Sequence, residues 1–190
     1  MSVTSLLLLL APSVGFAQDS SSGPGAGQAF LARFVGDWDV RKTFHPRQGA
    51  PVRVEGSCRQ ELIHDGRFLR SSFVFRTPEG DLDGTGLIGF DPETGLFTSV
   101  WIDARSARVS IRRSERPFDG ERIELASQPL GGAEGDVRRS RTVTTLEDGG
   151  RRILHQQFAL ADGAEDRLVM ELVLTRRSSS GSDPRDSGSK

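Results

Sequence analysis

The chain has no tyrosine, a single cysteine, three histidines and two tryptophans in 190 residues, and lysine stands only at Lys42 and Lys190. Each scarcity excludes something. With only Cys58 there is no intrachain disulfide framework and no cysteine cluster for zinc. His45, His64 and His155 fall in separate segments without the paired spacing of a metal site, so no metal and no cofactor are expected. Net charge is small, with 25 Lys+Arg against 26 Asp+Glu, so no global field draws in nucleic acid or an anionic membrane. No apolar run reaches the roughly 20 residues of a spanning helix. Gly-x-Ser-x-Gly is also absent, and with it the hydrolase elbow. No catalytic residue is assigned.

Export is the expectation for the first segment. Residues 1–17 combine the apolar run Leu6 to Leu10, a break at Pro12, and Gly15 and Ala17 at the minus-three and minus-one positions of a cleavage site. A signal peptide over 1–17 and a mature start at Gln18 follow, in a periplasmic or secreted protein. Residues 18–27 and 178–190, rich in Ser and Gly, read as a flexible leader and a disordered tail around a domain at 28–177.

Within that domain, Phe30, Leu31, Phe34 and Val35 mark one side of a short helix. Turn signals then recur at even spacing: His64-Asp65-Gly66, Pro78-Glu79-Gly80, Asp91 to Gly95, Asp119-Gly120, Asp148-Gly149-Gly150 and Asp162-Gly163. The alternating, β-branched segments between them predict about ten strands, near 37–45, 51–62, 67–77, 82–90, 96–103, 107–117, 121–129, 137–146, 151–161 and 166–176. Sequence neighbours joined by short turns form an up-and-down meander, and closing it removes two exposed edges. The fold class is therefore all-β: one antiparallel barrel with a short N-terminal helix.

Alternation nominates the interior. Trp38, Phe68, Phe73, Phe75, Phe90 and Trp101 are candidate lining residues. Trp101 and Asp103 share a strand face, and Glu171 on the last strand is a possible second carboxylate, with Arg70, Lys42 or Arg59 as partners. The ligand-binding set is Trp38, Phe68, Arg70, Phe90, Trp101, Asp103 and Glu171. His155 alternates with Ile153 and Gln157, opposite the more apolar Leu154, Phe158 and Leu160, and reads as an exterior or hydrogen-bonded side chain rather than a haem ligand. Arg112, Arg113 and Arg116, and Arg138, Arg139 and Arg141, read as solvated outer faces because aromatics are not interleaved with them. Cys58 reads as a small buried side chain.

The run Phe34-Val35-Gly36-Asp37-Trp38-Asp39-Val40 resembles the Gly-x-Trp start of lipocalin-like barrels. With Gly66-Arg67-Phe68-Leu69, Gly86 to Asp91, Trp101-Ile102-Asp103 and Met170-Glu171-Leu172, the chain resembles the bacterial lipocalin-like, calycin-type domain of unknown function 1579 across nearly all of 28–177. The resemblance implies a calycin-type barrel and no assigned chemistry; fold is not function. The leading reading is a binding module for a small, largely apolar molecule. The alternatives are an enzyme using Asp103, Glu171 and His64 for acid/base work, or a ligand-free structural or partner-binding domain, which an interior packed with side chains would favour.

Overall fold

The computed structural model describes residues 25–127, 139–160 and 165–178. One helix, α1 (Ala26–Ala32), precedes ten strands: β1 (Gly36–Phe44), β2 (Val52–Ile63), β3 (Phe68–Thr77), β4 (Gly80–Asp91), β5 (Leu96–Asp103), β6 (Ser106–Arg113), β7 (Arg122–Ser127), β8 (Ser140–Glu147), β9 (Arg152–Ala159) and β10 (Arg167–Arg176). Every strand pairs antiparallel with its sequence neighbour, and β10 returns to β1, so the sheet closes into a barrel. The expected strands are all present, their ends displaced by a few residues. The largest displacement is in β6, which stops at Arg113 because the chain turns toward Pro117.

The helix lies earlier than the Phe30 to Val35 reading. Ala26, Gln28, Ala29 and Ala32 are strong helix formers, so α1 begins inside the segment read as a leader, and Gly36, at φ +146°, turns the chain into β1. Buried Phe30 and Leu31 face the barrel end. Gly27 lies against the Phe90 ring so closely that a Cβ there would overlap it.

That end is closed by an aromatic plug. Phe30 meets Phe118 at 4.9 Å between ring centroids, Phe118 meets Phe97 at 5.1 Å, and Phe97 meets Phe90 at 4.9 Å, in tilted or edge-on pairs. Trp38 is fully buried beside them and donates Nε1–H to the Phe34 carbonyl at 3.0 Å. Arg176 lies over the Trp38 ring at 4.2 Å and donates to the carbonyls of Arg33, Val35 and Gly150. The closing strand is thus tied to both the helix exit and the 3-10 turn Asp148–Gly150. The signal peptide, the Gln18 start and the tail from 179 lie outside the described residues, as do Arg138 and the Asp162-Gly163 turn. Among the described residues, no helix is long and apolar enough to cross a membrane.

Candidate functional site

Above the aromatic plug the barrel encloses a cavity of about 580 Å³. Its wall is built by the inward alternates of the strands: Phe73 and Phe75 from β3, Trp101 from β5, Leu125 from β7, Ile153 from β9, and Leu172 and Leu174 from β10. The interior is therefore not filled by side chains, the condition that would favour the ligand-free reading. At the far end from α1 the cavity runs out between exposed residues of the β5–β6 hairpin, Arg105, Ser106 and Arg108, and shares Lys42, Phe75 and Trp101 with a side pocket of about 100 Å³ beside Phe44, Val54 and Leu82.

Trp101 and Asp103 face inward together. Their strand takes a register shift between the two residues, and the indole lies flat against Gly84 and Gly86, where a Cβ on Gly84 would come within 2.5 Å of the ring. Trp101 donates Nε1–H to Asp103 Oδ2 at 2.8 Å, and Arg105 grips the same carboxylate through Nε at 3.1 Å, Nη2 at 2.6 Å and its backbone N–H at 3.0 Å. Those donors, with Arg105 foremost, hold the Asp103 carboxyl well below the usual carboxylate range. Asp103 is thus a fixed anion already committed to a guanidinium.

The remaining expected residues divide. Trp38 and Phe90 belong to the closed end and its plug. Phe68 is on the outer surface, with the His64 ring edge-on to it at 6.1 Å. Arg70 is outside too, paired with Glu61 at 2.5 Å. Glu171 also points outward and accepts from Gln156 Nε2 at 3.1 Å, so the all-aliphatic face of Met170, Leu172 and Leu174 is the inner one. Asp103, Glu171 and His64 are not brought together, and nothing in the geometry assembles the acid/base set.

Two expectations are corrected. His155 is an interior residue: Ile153, His155 and Gln157 line the cavity, while Phe158 lies under the Arg141 guanidinium at 4.5 Å. Apolar weight does not label these faces because the lumen is mixed and the outer Phe158 is covered by the Arg141 side chain. The imidazole Nδ1 and Thr144 Oγ1 are 2.8 Å apart, and burial, followed by the charges of Arg112 and Lys42, pushes its pKa down to about 4. The ring is neutral at neutral pH. Arg112, read as part of a solvated run, likewise points inward, and its Nε is buried without a hydrogen-bond partner.

Lys42, in sequence a possible partner for a carboxylate, has a larger place in the cavity. It is a buried wall residue whose Nζ rests over the Phe44 and Phe75 rings, each centroid at 4.5 Å. Desolvation, helped by the nearby Arg105 charge, pushes its pKa down to about 8 against the opposing pull of Asp103. Gln60 donates to Ser71 Oγ at 2.9 Å, and its Oε1 is buried without a partner. A period-two count from Trp38 along β1 places Lys42 inside; its importance was hidden by its being one cation among twenty-five. Cys58 is buried as expected, and burial pushes its thiol pKa up, so it is no nucleophile. Among the described residues no three His, Cys, Asp or Glu side chains gather as a metal site would require.

No curated protein sequence matches the chain. The crystal structure of Rv2717c from M. tuberculosis is similar in fold, with a TM-score of 0.57 at 20% identity over 80% of this chain and 98% of that one. A family profile described as "Protein of unknown function (DUF1579)" matches residues 23–176, and the chain belongs to that family.

Proposed function

We propose that the protein is an exported binding module that holds a small, largely apolar ligand inside its barrel. The observation that carries this reading is the cavity of about 580 Å³, walled by Phe73, Phe75, Trp101, Leu125 and Leu172 with a few polar groups among them. Small-molecule sites occupy roughly 300–1,000 Å³ and combine an apolar lining with a few placed polar groups. The export part rests on the residue pattern of 1–17.

Titration with the neutral fluorophore N-phenyl-1-naphthylamine tests the binding reading. Saturable, blue-shifted emission at one site per chain is expected, and Leu172→Trp, which fills the cavity from β10, should abolish it while circular dichroism still reports a barrel. Absence of saturable binding, or binding indifferent to a folded Leu172→Trp protein, would refute the interior site. N-terminal sequencing of protein recovered from the cell envelope tests export: a start at Gln18 supports it and a start at Met1 removes it.

A further inference from the structure

The cavity holds more positive charge than it balances. Its wall carries Lys42, Arg105, Arg108 and Arg112 but a single carboxylate, Asp103, in a chain whose overall charges nearly cancel. Asp103 is already bound to Arg105 at 2.6 Å, and Arg108 is exposed at the rim. Lys42 and Arg112 are left inside, neither with an ion-pair partner among the described residues.

These two are costly residues to leave unpaired. A guanidinium stays charged at any physiological pH, and burying it without a counter-ion is strongly unfavourable. Arg112 bears that cost with its Nε wholly enclosed and unbonded. Lys42 recovers part of its own through the two aromatic faces beneath it. The charges of both reach the same place, the His155 ring, which is neutral and contacts Thr144. When Thr144 donates to Nδ1, the imidazole proton sits on Nε2, giving a further donor beside the two cations. Phe73, Trp101 and Leu172 supply the apolar wall of the same space.

We infer that the occupant is an amphipathic anion, with an oxyanionic head group among Arg112, Lys42 and His155 and an apolar body along Phe73, Trp101 and Leu172. The inference rests on the interior-binding reading above and narrows its ligand class. A wholly apolar ligand would leave both cations uncompensated and exclude their remaining water. An ammonium head would add a further like charge. A carboxylate and a phosphate monoester share the required chemistry, since either accepts the paired donors of a guanidinium.

Calorimetric titration with decanoate, decyl phosphate and decanol separates the possibilities on one chain length. At least one of the two anions should bind about ten-fold or more tightly than the alcohol, and the tighter of them identifies the head group. In Arg112→Gln that advantage should shrink several-fold with decanol affinity unchanged, and Arg112→Lys should restore part of it. Lys42→Met carries the same test independently, so a misfolded Arg112 variant does not remove it. Equal affinity for the alcohol and both anions, or an anion preference that survives in folded Lys42→Met and Arg112→Gln proteins, would overturn the inference while leaving interior binding intact. Failure of all three ligands and of the neutral fluorophore would instead overturn the interior-binding reading beneath it.

Discussion

Trp101 donates its indole N–H to Asp103, two residues further along the same strand, at 2.8 Å, and thereby shares that carboxylate with Arg105. The bond fixes the plane of the cavity's one tryptophan by means of the cavity's one carboxylate. Asp103→Asn keeps an oxygen for the indole and loses the charge. Because the Arg105 side chain is half exposed, we expect a loss of only about 1–2 kcal/mol in denaturant unfolding, below the cost of breaking a fully buried pair. Affinity for decanoate should rise a few-fold, since the anion opposing Lys42 is gone, and decanol should be indifferent. The stability that Asp103 provides is present above its unfolded pKa of about 3.9 and declines as pH falls through its depressed folded value. The Asn variant should lack that part of the acid loss.

Arg176 supplies a second stability test at the opposite end. Its guanidinium covers Trp38 and satisfies three carbonyls, two at the helix exit and one in the 3-10 turn, with distances of 2.6–3.0 Å. Arg176→Met should cost about 2–4 kcal/mol, judged from charge-assisted bonds to carbonyls that would be left without this donor. Arg176→Lys should recover little, because a single ammonium cannot span three acceptors as a planar fork does. Urea midpoints of the three proteins check this ranking.

His155 gives the barrel a dependence on mild acid. Its folded pKa of about 4 lies below the unfolded value of about 6.5, so the unfolded chain takes up a proton first and stability falls as pH drops between those values. Lys42 and Arg112, the cations that face it, oppose its protonation in the folded state. We expect the loss to approach about 2 kcal/mol, reduced from the full linkage value because the ring borders the cavity. His155→Gln should flatten the slope of unfolding free energy between pH 6.5 and 4. An unchanged slope in that variant would assign the acid sensitivity elsewhere.

The barrel itself was legible because turns and strands announce themselves locally. His64, Asp65 and Gly66 all adopt positive φ at the β2–β3 turn, as the His-Asp-Gly run suggests, and Asp148, Gly149 and Gly150 do the same between β8 and β9. Period-two alternation puts Trp101 and Asp103 on one face, and that face lines the cavity. Alternation gives the wrong face for Phe68 and for the strand side that carries the hydrogen-bonded His155, for one reason: it separates two faces but does not label them. The label comes from register across the sheet, where His155 stands opposite Leu172 and Thr144 while Phe68 stands opposite Gly89 and Ile63. Arg112 was hidden in the same way, by arginine neighbours that suggested a solvated run, although its strand partner Ser99 is itself a cavity residue.

Trp101 offers the most direct test of the central claim, that the space inside the barrel is the binding site. It lines the cavity, whereas the other tryptophan, Trp38, is fully buried at the closed end. Acrylamide quenching should therefore be measured on the wild-type protein and on Trp101→Phe, free and saturated with decanoate, so that their difference reports Trp101 alone. The account expects Trp101 to be readily quenched in the free protein and protected several-fold when ligand fills the cavity, with Trp38 shielded throughout. Unchanged quenching of Trp101 at ligand saturation would place the bound molecule outside the barrel and contradict the account.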